Sequence, residues 1–200
     1  AFRVSASYCS ISNFEVNGNL QCFALIGVQG STGEYWQNIV INNCLLTNAH
    51  NQNNGGFGIH AAYTRKLSIL NTEIRNLALD GIYVAYSPLI EIGYCLIIDI
   101  NRRYFSNTDQ VYSSGDGIQL DGYYNGFKIH HTTVDRTNGA GNKFNIILAS
   151  KVGISNKATG IIEHCTFRTG ANVSTAVQVE MGQGIIIRYN KFKGSTQGLR

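Results

Sequence analysis

One short segment recurs seven times along the chain and limits the possible folds more than any other feature: CSISNFEV, IVINNCLL, LSILNTEI, IEIGYCLI, FKIHHTTV, GIIEHCTF and IIIRYNKF. Alignment places Ile11, Ile41, Ile69, Ile92, Ile129, Ile162 and Ile187 in one column, with Val16, Leu46, Ile74, Ile97, Val134, Phe167 and Phe192 in another, five positions later. A second strand-like segment precedes most of these isoleucines: FRV, GIHAA, DGIYVA, DGIQLD and AVQVE, with GLR closing the chain. Its inward column is Phe2, Ile59, Ile82, Ile118, Val177 and Leu199. Two registers stay open: FALI lies near Phe23 to Ile26, and FNIIL can be read from Phe144 or shifted by two to Ile146, which keeps the same face inward.

Successive column isoleucines are 30, 28, 23, 37, 33 and 25 residues apart, the irregularity of short strands joined by loops of changing length. Each repeat carries period-two strands whose apolar face it cannot bury alone. Stacking the repeats as coils, at about 4.8 Å per turn, buries all of those faces together. The expectation is an all-β, parallel β-solenoid of about seven coils, forming a single domain over residues 1–200. Strand segments stand at both termini, so the solenoid is expected to be uncapped, a segment of a larger protein or able to self-associate end to end. The single proline, Pro88, fits this scheme, because a central strand cannot spare its N–H.

Composition agrees. Charged residues are only 14%, while Gly reaches 22 and hydrophobic residues 44%. Ile, Gly, Asn, Thr and Tyr dominate, which disfavours a helical bundle and provides enough apolar surface for a core. The net charge of +4 falls short of a nucleic-acid-binding footprint. No apolar run approaches the roughly 18–20 residues of a membrane span. No GxxxxGK, GxSxG, HExxH or paired CxxC pattern occurs, which removes the common nucleotide, α/β-hydrolase and zinc readings.

Cys44, Cys95 and Cys165 share a turn column with Phe14, Thr72, Thr132 and Asn190, and all seven are expected to point inward. Cysteines two coils apart lie beyond the roughly 7 Å reach of a disulfide, so these three are read as buried structural thiols. A Cys9–Cys22 pairing stays open.

The repeat resembles that of the right-handed parallel β-helix superfamily of pectate lyases, polygalacturonases, alginate-modifying enzymes and phage tailspikes. Members read as Gly-Ile, a loop, then Ile-x-Ile, a turn and Phe, and the resemblance covers essentially the whole chain. It implies that function sits on the outward face of one sheet, where residues remote in sequence become neighbours. The outward column of the Gly-Ile strand reads Ala24, His60, Tyr83, Gln119, Asn145 or Ile147, Gln178 and Arg200, followed two residues on by Ala62, Ala85, Asp121 and Glu180.

The sharpest constellation is Asp80 and Asp116, each in an Asp-Gly-Ile triplet on successive coils. Adjacent carboxylates there can hold a cation such as Ca2+ or serve acid–base chemistry. The plainer reading is turn chemistry, with the carboxylate bonding nearby backbone N–H groups and Gly supplying an unusual dihedral. The resemblance adds that polygalacturonases carry a catalytic Asp in such a setting. The double Asp, Gly-His-Gly and Arg-x-Lys of that site are missing here, which places hydrolysis behind elimination.

The long insertion before DGIQLDG brings Arg102, Arg103, Tyr104, Phe105, Asp109 and Tyr112, expected to wall the groove and bind a uronate. Lys143 in GAGNKF, as the resemblance implies for lyases, or a tyrosine is the candidate base. Tyr35, Trp36, Tyr123 and Tyr124 are aromatic candidates for sugar stacking or for packing over the solenoid, and Asn172-Val173-Ser174 is a formal glycosylation sequon. His130, Glu163 and Arg188 form an outward column on the Ile strand, with His131 and His164 beside the turn. Their mixed charges are read as a salt-bridge ladder in preference to a metal site. The functional expectation is an extracellular or cell-surface solenoid that binds an acidic polysaccharide and cleaves it by β-elimination, using Lys143, Asp116 and Asp80. The other expectation is a non-enzymatic segment of a filament, adhesin or tailspike.

Overall fold

The structure, a computed structural model, describes residues 1–19, 22–50, 55–100, 115–137, 144–149, 158–170, 175–180, 182–194 and 198–200. The described residues form 21 strands and no helix, and the strands assort into three parallel sheets of seven. Sheet 1 contains Phe2–Val4, Ala24–Gln29, Phe57–Ala62, Ile82–Ala85, Ile118–Asp121, Phe144–Leu148 and Thr175–Val179. Sheet 2 contains Ser10–Ser12, Ile39–Asn42, Leu67–Leu70, Ile90–Gly93, Phe127–His130, Gly160–Glu163 and Ile185–Arg188. Sheet 3 contains Glu15–Asn17, Leu45–Ala49, Glu73–Leu77, Leu96–Ile100, Thr133–Arg136, Thr166–Thr169 and Lys191–Lys193. Each coil contributes one strand to each sheet in turn, which makes the chain a parallel β-solenoid of seven coils.

The isoleucine column is sheet 2, where Ile69 pairs with Ile92, Ile92 with Ile129 and Ile129 with Ile162. The column five residues later is the separate sheet 3, with Leu46, Ile74, Ile97, Val134 and Phe167 stacked and buried. β-branched side chains suit this arrangement because they pack against the coils above and below on a pleated surface. Pro88 lies in the turn between Ile82–Ala85 and Ile90–Gly93, clear of the hydrogen-bonded ladders.

The turn from sheet 2 to sheet 3 carries an inward ladder. Thr72 Oγ1 accepts the Cys44 N–H and donates to Leu70 O, and Thr132 Oγ1 accepts the Cys95 N–H and donates to His130 O. Asn190 Oδ1 accepts the Cys165 N–H, while its Nδ2 donates to Ile162 O. Phe14 departs from this column: it is half-exposed and packs edge-on against Phe2, 5.1 Å between centroids. All five cysteines are free, Cys9 and Cys22 included. Burial pushes the Cys95 and Cys165 thiols up to about 11, which keeps them protonated and inert.

The Asp-Gly-Ile glycines serve close packing. A Cβ on Gly81 would stand 2.5 Å from Ile97 Cγ2, and one on Gly117 2.3 Å from Val134 Cγ1. Neither glycine takes the left-handed conformation that the plainer turn reading requires. One coil on, Asn145 occupies the same position and spends its amide on Val134 O and Arg168 O, both at 3.0 Å.

Candidate functional site

Sheet 1 presents the face on which the sequence places the site. Its register is fixed by Ile26 pairing with Ile59 and by Ile118 pairing with Ile146. Ile147 therefore faces outward beside Gln119 and Gln178, and Asn145 inward. In the second coil Gly27, not Ala24, lies beside His60, and Ala24 pairs with Phe57 instead. The run FALIGV is apolar at both parities, so alternation alone cannot choose its register.

Four rings gather on this face. His60 and Tyr83 stack at 5.0 Å and 14°, Phe57 meets His60 edge-on at 5.0 Å, and Phe23 packs against Phe57 at 5.2 Å. The Tyr83 hydroxyl donates to Asp121 Oδ2 at 2.9 Å across adjacent coils. Burial, and then the Asp121 carboxylate, raise the Tyr83 pKa, so the phenol stays protonated and acts as a donor. Burial lowers the His60 pKa and favours its neutral form. Because His60 and Tyr83 stack on each other, this part of the face offers ring edges and polar atoms. Gln119 and Gln178 continue the strip, with Asp121 and Glu180 two residues further along their strands.

Asp80 and Asp116 do lie on adjacent coils. Asp80 Oδ1 accepts the Asp116 N–H at 2.6 Å and Asp116 Oδ1 accepts the Phe144 N–H at 2.7 Å, each carboxylate reaching to the next coil. Their exposures are 3% and 2%. Beneath them lies Arg136, wholly buried on the inward side of its strand, two residues after Val134. Its Nη1 donates to Phe144 O at 2.8 Å and stands 3.9 Å from Asp116 Oδ1. Burial lowers the Arg136 pKa, opposed by Asp116 and then Asp80. The motif search passes over this arginine, although the strand period puts it on the same inward face as Val134.

A calcium ion fits this cell poorly. It requires roughly six to eight oxygens, whereas one oxygen of each carboxylate already accepts an N–H and a guanidinium lies alongside. Among the described residues no group of three or more His, Cys, Asp or Glu side chains is placed to hold a metal.

Lys143, Arg102, Arg103 and Tyr112 lie outside the described residues, as do Tyr104, Phe105, Asp109 and the sequon Asn172-Val173-Ser174. Tyr123 is exposed, whereas Tyr124 is buried in the core against Phe127. The Trp36 indole N–H donates to Gln29 O at 2.7 Å and Tyr35 packs edge-on against Tyr63, so both cover the solenoid.

A second ordered surface runs along the turn from sheet 2 to sheet 3. Asn13, Asn43, Asn71, Tyr94, His131, His164 and Tyr189 occupy it on successive coils, all with positive φ. Asn43 Nδ2 donates to Asn13 Oδ1, and Asn71 Nδ2 to Asn42 Oδ1. The remaining four form a continuous ring stack, Tyr94 on His131 at 4.8 Å, His131 on His164 at 5.1 Å and His164 on Tyr189 at 5.2 Å. The salt-bridge ladder lies beside it: Arg188 Nε and Nη2 donate to Glu163 Oε2 at 2.9 and 2.8 Å, and Lys128 Nζ lies 3.6 Å from Glu163 Oε1. Arg188, foremost, holds the Glu163 carboxyl below its ordinary range. His130, expected to face outward with them, is only 5% exposed, because its ring folds over Gly93, where a Cβ would come within 2.5 Å of it.

These features define a parallel β-solenoid with a polar and aromatic strip on the outside of one sheet. Comparison with models of known families, with curated proteins and with solved structures finds no match.

Proposed function

We propose that this solenoid binds a polysaccharide along the outer face of sheet 1 and cleaves an acidic chain there by β-elimination, in the manner that its resemblance to pectate lyase-like β-helices implies. The supporting observation is the strip of His60, Tyr83, Gln119 and Asp121, organised by the Tyr83–Asp121 hydrogen bond on one straight face. Its rise per coil, about 4.8 Å, is close to the length of one sugar unit. A chain of sugars can therefore meet a similar row of donors and acceptors on each coil.

The described part of the strip carries the carboxylates of Asp121 and Glu180, so attraction for uronates must come from basic residues. Arg102, Arg103 and Lys143 precede the strands Ile118–Asp121 and Phe144–Leu148 in sequence and are the basic residues proposed for that role. In the proposed step Lys143, as the free amine, takes the proton on the carbon next to the uronate carboxylate. The freed electron pair forms a carbon–carbon double bond as the neighbouring glycosidic C–O bond breaks, and the leaving oxygen takes up a proton. The two arginines offset the charge that develops on the carboxylate. On this reading the protein acts outside the cell or at its surface.

The test incubates the protein with pectate, alginate and chondroitin, following unsaturated uronates by ultraviolet absorbance and binding by affinity electrophoresis. At least one polymer should retard the protein, and Asp121→Ala should weaken binding about tenfold, as loss of one charge-assisted hydrogen bond does. Lys143→Ala should abolish the absorbance and leave binding in place. Retardation by none of the polymers contradicts the reading. Binding without product favours a non-enzymatic, adhesive solenoid, a second reading supported by the use of Asp80 and Asp116 as backbone acceptors.

A further inference from the structure

His130 and His131 are consecutive, and in a regular strand consecutive side chains point to opposite faces. Here His131 takes φ of 49° at the turn. This brings the two imidazoles together at 86°, with Nδ1 to Nδ1 at 3.1 Å. The Nε2 of His130 lies 3.2 Å from Glu91 Oε1 on the preceding coil. A carboxylate at that distance holds the imidazole proton on Nε2 and leaves Nδ1 as a lone pair directed at His131.

We infer that His130 and His131 chelate a borderline transition-metal dication through their two Nδ1 atoms, with Glu91 as the positioning carboxylate. Two imidazole nitrogens bonded to one metal at about 2.0–2.1 Å, with an angle of roughly 90–110°, stand about 2.9–3.4 Å apart. The observed separation lies within that range. The ligand type suits Ni2+, Cu2+ or Zn2+ and disfavours Ca2+ or Mg2+. Water completes the coordination, since among the described residues no third His, Cys, Asp or Glu converges on the pair. The surroundings are built for the rings: Gly93 leaves room for His130, and Tyr94 stacks on His131 at 4.8 Å. The nearby cations Lys128 and Arg188 are paired with Glu163 and do not oppose a dication.

Ni2+ is the probe, because it does not oxidise the free thiols. Calorimetric titration of the intact chain should show one Ni2+ per chain, and the ring protons of His130 and His131 should be shifted paramagnetically in NMR spectra. His131→Asn keeps a residue type that the same turn carries at Asn13, Asn43 and Asn71, so the fold is retained while a ligand is lost. Its affinity should fall by at least tenfold, and Glu91→Gln should cost roughly 10–100-fold. Failure to saturate, or a site equally strong in His131→Asn, overturns the inference and leaves the pair as a hydrogen bond between two imidazoles. Neither result bears on polysaccharide binding at sheet 1.

Discussion

Replacing Asp116 with alanine is expected to destabilise the solenoid by about 3–5 kcal/mol, the cost of breaking a buried charge pair and stranding one partner. Asp116 Oδ1 accepts the Phe144 N–H and faces Arg136, whose side chain is wholly buried. Among the described residues Arg136 Nε and Nη2 have no hydrogen-bond partner, so the carboxylate is the nearest compensation for that cation. Asp116→Asn keeps an acceptor and removes the charge, and should cost less than alanine. Urea unfolding followed by circular dichroism measures both. If alanine shifts stability by under about 1 kcal/mol, the Asp80–Asp116–Arg136 cell is not structural. The same variants bear on catalysis: lost polymer cleavage with unchanged stability would assign Asp116 a chemical role that its burial argues against.

Ile129→Ala should cost about 2–5 kcal/mol, whereas Ile186→Ala in the same sheet should stay within about 0.5 kcal/mol. Both are isoleucines in sheet 2 strands. Ile129 is fully buried between Ile92 and Ile162, and truncating it leaves a cavity in the middle of the stack; Ile186 faces outward and is 47% exposed. Coils communicate only with their neighbours, so a central defect divides the solenoid into two shorter stacks. Equal effects at the two positions would contradict the inward assignment of the isoleucine column.

Much of the fold was legible in the sequence because the inward column repeats one residue type. Ile41, Ile69, Ile92, Ile129 and Ile162 need only a count of spacings to be placed together, and they are buried in the structure. The separation of sheet 3 from sheet 2 is harder to read, since it depends on a single left-handed residue at positions such as Asn43 and His131. Register failed at Ala24 because its segment is apolar on both faces. The direction of the Asp80 and Asp116 carboxylates follows from backbone N–H groups one coil away, which no local motif encodes. The partner of Arg136 and the direct contact between His130 and His131 are likewise set by the fold and not by a local motif. The strand period turns Arg136 inward but does not name the carboxylate it meets there, and a turn rotates His131 onto its neighbour.

The stacking itself is tested most directly by a distance between exposed turn residues at the two ends of the column. Nitroxide labels on Asn13→Cys and Tyr189→Cys, with Cys9 and Cys22 replaced by serine, report it by pulsed electron paramagnetic resonance. Six coil steps separate the two positions, so the account predicts a single narrow distance of about 29 Å. A mean below about 20 Å, or a distribution without a defined peak, is incompatible with parallel coils rising about 4.8 Å apiece.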